Sequence, residues 1–155
     1  MIDKIGWDTY FMSIAYLSSV RSSDPHTKHG CVIVSPDNKI ISIGYNGAAS
    51  KIPNEKVPAT RPDKYFYYIH AELNSILNAG KSLENSIFYI TGIPCPQCAS
   101  QIIQVNASKI VYGPKQSASI TPEIKKHIDF IIKESKIEYM EFKNMNEVKK
   151  LVNII

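Results

Sequence analysis

Two short segments hold the residue types best able to do chemistry: His70-Ala71-Glu72 and, further along, Pro94-Cys95-Pro96-Gln97-Cys98. Imidazole nitrogen and thiolate sulfur are donors that zinc favours in tetrahedral geometry. Cys95 and Cys98, three positions apart at the start of a predicted helix, can turn both sulfurs toward one ion. Amide dipoles at that helix end favour the thiolates. His70 supplies a third ligand and leaves a fourth position for water, the pattern of a catalytic site; a fourth protein ligand would suggest a structural one. Glu72, two residues beyond His70, need not coordinate; it can take a proton from such a water and return it to a leaving nitrogen. Two alternatives stand beside this reading. A redox dithiol would not require the upstream His70-Ala71-Glu72, and a zinc ribbon needs a second Cys-x-x-Cys, whereas Cys31 is all that remains of the 3 cysteines. Cys31 falls on a predicted strand and is expected as a small buried core residue.

These segments need elements to hold them. Trp7, Tyr10, Phe11, Ile14, Ala15 and Leu17 recur at helical spacing, and the helix ends near Asp24-Pro25, where proline disfavours helical geometry at the residue before it. Cys31–Val34 and Lys39–Gly44 flank Pro36-Asp37-Asn38 as a hairpin. A long connector punctuated by Pro53, Pro58 and Pro62 runs from Asn46 to Ile69, and its aromatic end, Tyr65-Phe66-Tyr67-Tyr68, favours an ordered lid or interface. A helix from about His70 to Asn78, a strand at Ser86–Thr91, a helix opening near Pro94 and a strand at Lys109–Tyr112 follow. Thr121-Pro122-Glu123 reads as an N-cap with proline at the first helical position. A strand at Lys136–Phe142 and a short terminal helix complete a mixed sheet with helices on both faces.

The chain's 155 residues, 44% of them hydrophobic and 21% charged, suit one folded domain spanning 1–155. No apolar run approaches the ~18 residues of a membrane span. The N-terminal residues lack the pattern of a secretory leader, so a reducing cytoplasmic setting is expected. The net charge of +4 invites a nucleic-acid partner, yet no block of about five or more like charges appears, and only 2 of the 18 basic residues are arginine.

The paired pattern H-x-E…P-C-x-x-C is a known signature of nucleobase zinc deaminases. Around it stand Trp7…Tyr10-Phe11-Met12, Arg21-Ser22-Ser23-Asp24-Pro25, Gly44-Tyr45-Asn46-Gly47, His70-Ala71-Glu72-Leu73-Asn74 and Pro94-Cys95-Pro96-Gln97-Cys98-Ala99. On these residues the chain resembles the deoxycytidylate (dCMP) deaminases of the cytidine deaminase-like superfamily, to about Phe142. The resemblance implies an α/β fold, a three-layer α/β/α sandwich around a five-stranded mixed sheet. It implies one catalytic Zn2+ on His70, Cys95 and Cys98, and hydrolysis of dCMP to dUMP and ammonia, feeding thymidylate synthesis. Glu72 would protonate N3 and then the departing amino group. Asn46 would hydrogen-bond the sugar, its other reading being a turn residue in Asn-Gly. Ala71, Tyr68 and Tyr67 would line the pocket, the alternative being core packing of one of the two tyrosines. Arg21, Ser22, Lys28 and Lys115 are the candidates for the phosphate, each with the alternative of a solvated surface group.

The chain departs from its relatives around the ligand. His29-Gly30-Cys31 replaces the usual Val-Gly-Ala, so His29 either alters base choice or pH response or points outward. Ala48-Ala49-Ser50-Lys51 replaces a Pro-x-Gly pattern, and Gly113-Pro114-Lys115 lacks the usual Asp/Tyr residues. The resemblance also implies a homo-oligomer, commonly a hexamer, with dCTP and dTTP as effectors. Alternatives are a deaminase of modified dCMP, dCTP, dAMP, dGMP or tRNA adenosine, or a non-catalytic zinc-binding regulatory protein. Scarce arginine disfavours the tRNA version, and an intact Glu72 disfavours the non-catalytic one.

Overall fold

The computed structural model describes residues 3–153. The chain runs through α1 (Trp7–Ser19), β1 (Gly30–Val34), β2 (Ile40–Tyr45), β3 (Gly47–Ala48), β4 (Tyr68–Ile69), α2 (Ala71–Asn78) and β5 (Ile87–Gly92). It continues through α3 (Pro96–Gln104), β6 (Lys109–Lys115), α4 (Pro122–Ser135), β7 (Glu138–Glu141) and α5 (Met145–Val152). Five strands form one sheet in the order β2-β1-β5-β6-β7. β1 is antiparallel to both β2 and β5, whereas β5, β6 and β7 are parallel, so the sheet is mixed, as expected.

Strand alternation divides the core in two. Val32, Val34, Tyr89 and Val111 face Phe11, Met12, Tyr16 and Val148 from α1 and α5. Cys31, Ile33, Phe88, Ile90 and Ile110 face the opposite layer, with Ala71 of α2 and Ile102 of α3. The result is the three-layer α/β/α sandwich. Cys31 is fully buried in the second cluster, and its thiol is pushed far up by burial. Among the described residues no helix is long and apolar enough to cross a membrane.

The connector between β2 and α2 is ordered rather than featureless. Gly47 and Ala48 pair antiparallel with Ile69 and Tyr68, and short 3-10 turns occupy Asn54–Lys56 and Asp63–Phe66. Its prolines disfavour longer elements, but one two-residue ladder suffices to return the chain beside its starting point.

Two features set α2 against the sheet. A Cβ on Gly44 would lie 2.4 Å from Ser75 Oγ and 2.7 Å from the Ala71 carbonyl oxygen, so only glycine admits the helix this closely. Asn74 Nδ2 then donates to the Tyr45 carbonyl at 2.8 Å, and Ser42 Oγ donates to the Ser75 carbonyl at 2.7 Å. These contacts fix the helix that carries Glu72.

Candidate active site

The site forms where two helices begin. His70 is the N-cap of α2 and Cys95 the N-cap of α3, with Pro96 at the first helical position. Cys95 Sγ accepts from the Cys98 backbone N–H at 3.4 Å, as an N-cap side chain does. His70 Nδ1 lies 3.5 Å from Cys95 Sγ and 3.4 Å from Cys98 Sγ. Ligands at ordinary zinc–sulfur and zinc–nitrogen distances in a tetrahedron sit about 3.6 Å apart, so this spacing fits one zinc ion. His70, Cys95 and Cys98 are the one such donor cluster among the described residues.

Electrostatics treat the two thiols differently. Hydrogen bonds from the Cys98 thiol and from His70 hold the Cys95 thiol down at about 4, against the opposing effect of burial. Cys98 is pushed the other way, first by its bond to Cys95 and then by burial. Glu72 sits in the first turn of α2, almost wholly buried, and burial raises its carboxyl above the usual range despite the nearby His70. A carboxyl so placed can hold a proton and give it back.

A cavity opens above these groups. Of the residues singled out in the sequence, His29, Asn46, Tyr68, His70, Ala71, Glu72 and Cys95 line it. Cys98 lies just behind, buried. The phosphate candidates are elsewhere. Arg21 lies over the Tyr45 ring, 5.8 Å from its centre, and the buried Ser22 hydroxyl accepts from the Asp24 N–H. Lys28 is exposed outside the cavity wall, and Lys115 lies over Tyr16 and lines a neighbouring cavity. The cavity wall instead carries Arg61, Lys64, Ser117 and Ser119. Arg61 is one of only 2 arginines in the chain, a signal that its rarity offered. Nothing local marks the two serines.

Asp24 and Lys64 form a buried ion pair in this wall, 2.8 Å apart, with side chains 5% and 4% exposed. Asp24 Oδ1 also accepts the backbone N–H groups of His26 and Thr27. Asn46 Nδ2 donates to the Thr27 carbonyl at 2.9 Å, and Asn46 Oδ1 accepts the His29 N–H at 2.8 Å. The pair thus ties the connector to the loop that shapes the cavity. Burial would raise the Asp24 carboxyl, but the Lys64 bond and the two N–H donors outweigh it and hold it low. Its stabilising effect is therefore present in full above the ordinary carboxylate range and is lost as pH falls through the lowered folded value. Lys64→Met leaves that carboxylate buried without its cation and should lower stability by about 3–5 kcal/mol, read as a fall in the urea midpoint. An unchanged midpoint would show that the pair is dispensable.

The model of the cytidine and deoxycytidylate deaminase zinc-binding region matches residues 5–114. The probable deoxycytidylate deaminase of Drosophila melanogaster is 41% identical over 122 residues, covering 71% of this chain and 60% of that protein. The deoxycytidylate deaminase of Homo sapiens is 37% identical over 117 residues, covering 71% of this chain and 66% of that one. The chain thus spans a little under two thirds of these relatives' length. In fold it is similar to the dCMP deaminase of cyanophage S-TIM5, solved in complex with dCMP and dUMP, with a TM-score of 0.71 and 23% identity over 91% of this chain and 100% of that one.

Proposed function

We propose that this chain, which belongs to the family of cytidine and deoxycytidylate deaminases, hydrolyses dCMP to dUMP and ammonia. The observation that carries this reading is the buried Glu72, two residues beyond the His70 of a His70, Cys95 and Cys98 set spaced for zinc. Zinc held by those three residues would supply a nucleophile from water near neutral pH by lowering that water's pKa. Glu72 takes the first proton of the water and passes it to N3 of the base, where it stays. It then takes the proton of the new C4 hydroxyl and gives it to the departing amino group, so the C–N bond breaks as the C4 carbonyl forms and ammonia leaves. Its burial favours the protonated form, which suits the carrying step.

Asn46 has little freedom in how it meets a sugar. Both of its amide hydrogens face acceptors, Thr27 O at 2.9 Å and Asp24 Oδ2 at 3.4 Å. Its Oδ1 takes one N–H and keeps one lone pair, so a sugar hydroxyl donates to it. Arg61, with Ser117 and Ser119, meets the phosphate, because Lys64 is already paired with Asp24. Tyr68 and Ala71 complete the wall. Supply of dUMP for thymidylate, a cytoplasmic setting, a homo-oligomer and dCTP or dTTP as effectors belong to the same proposal by family resemblance. Exposed Tyr65, Phe66 and Tyr67 on the connector support an assembly contact.

The test is ammonia release by the zinc-loaded protein from dCMP, dCTP, CMP, deoxycytidine, dAMP and dGMP. Turnover of dCMP above all others is expected. Release from none of the cytosine compounds overturns the proposal; a preference for dCTP or a purine nucleotide moves the substrate.

A further inference from the structure

His29 is a wall residue whose hydrogen-bonding polarity is set by a neighbour. The Thr91 side chain is completely buried; its Oγ1 accepts the Gly30 N–H at 3.2 Å and lies 3.0 Å from His29 Nδ1. A hydroxyl also has one proton to donate, and His29 Nδ1 is the acceptor within its reach among the described residues. Leaving that proton unpaired in the core would cost a hydrogen bond, so Thr91 donates to Nδ1. A neutral imidazole that accepts at Nδ1 carries its hydrogen on Nε2.

Two further features hold this ring in place. The His29 N–H donates to Asn46 Oδ1 at 2.8 Å, fixing the backbone. Gly92 leaves room for the ring, since a Cβ there would lie 3.1 Å from His29 Cε1. Nε2 has no partner among the described residues, yet it is not a sealed-off polar atom, and the ring lines the cavity. Burial first, then the charges of Lys115 and His70, keep the ring neutral down to about pH 4, against the smaller pull of Asp24. The titratable groups that bear on it are therefore Lys115, His70 and Asp24, and the ring itself adds no charge.

We propose that His29 is a specificity-determining residue whose Nε2–H, locked by Thr91, donates to a carbonyl oxygen of the pyrimidine base. This rests on the deaminase reading above. A neutral donor suits an uncharged carbonyl, whereas a phosphate would draw a proton onto the ring. The family's usual valine at this position can make no such bond, so the contact belongs to this chain.

The test uses the zinc-loaded full chain with 15N-labelled histidine at neutral pH. The ligand-free spectrum should show the Nε2–H form of His29, and Thr91→Val should weaken that preference. Adding dUMP or deoxyuridine should shift the His29 Nε2–H signal, and inorganic phosphate should not. An Nδ1–H or fully protonated ring, a response to phosphate but not deoxyuridine, or no response to dUMP and deoxyuridine overturns the proposal. In kinetics, His29→Val should raise KM for dCMP about three- to tenfold, the net loss of one hydrogen bond, with kcat changed less than about twofold. His29→Gln, which keeps an N–H, should recover part of it, and an unchanged KM in His29→Val overturns the assignment. If the wild-type chain releases no ammonia, the deaminase reading falls, while the spectra still decide the polarity of His29 and its response to a pyrimidine.

Discussion

Glu72→Gln should leave the chain folded and zinc-loaded while cutting turnover of dCMP by about 10²–10⁴-fold, the ordinary worth of a positioned acid–base group. Gln matches Glu in shape, and the almost wholly buried side chain at the start of α2 need not repack. Stability should hold or rise slightly, because burial already penalises the carboxylate form. What is lost is a group that accepts and then releases a proton. The measurement is kcat with zinc content determined on the same sample. A variant that retains both metal and full activity removes Glu72 from the chemistry. A variant that loses metal as well would mean that Glu72 helps hold the ligand set, which the spacing of His70, Cys95 and Cys98 does not require.

Removing the metal should have the other large effect. A strong chelator should abolish ammonia release, and readdition of zinc should restore it. Because zinc binds the folded site, its loss also withdraws binding energy from the fold, about 4 kcal/mol at a free zinc concentration ~1,000 times Kd. For a domain of this size that corresponds to a drop in Tm of roughly 10 °C. Loading should release protons, since the bond to Cys95 and burial favour the protonated Cys98 when metal-free and both sulfurs bind as thiolates. Metal affinity should therefore fall as pH falls. Cys98→Ser, with a harder and less acidic ligand, should reproduce the chelated state even when zinc is supplied. Full activity after exhaustive chelation would show that the chemistry runs without a metal.

Much of the chemical centre was legible in the sequence because it is local. His70-Ala71-Glu72 and Cys95-Pro96-Gln97-Cys98 each occupy one helix start, where side-chain directions follow from position along the chain. The Thr121 cap was legible for the same reason, and its Oγ1 does accept the Ile124 N–H. The cavity wall was not, because distant segments make it. Asp24 and Lys64 meet across 40 residues, and neither has a local signal that names the other. Arg61, Ser117 and Ser119 reach the cavity only through loop paths that periodicity does not encode. The strand predicted at Lys109–Tyr112 runs on to Lys115, through Gly113 and Pro114. There the pairing with β5 shifts register between Ile90 and Gly92, which accommodates a proline that the simple ladder would reject.

The capping positions of His70 and Cys95 have a consequence for how this molecule can change. A cap belongs to the loop by its backbone angles and to the helix by its attachment, so these two ligands stand outside the helix interiors, and Cys98 follows within the first turn of α3. The bodies of α2 and α3 answer chiefly to packing, and their substitutions should register as changes in folding. The loops before the caps answer to the shape of the cavity. Mutational drift in one compartment leaves the other nearly untouched, so selectivity can be rewritten in the loops while the reaction itself is inherited intact.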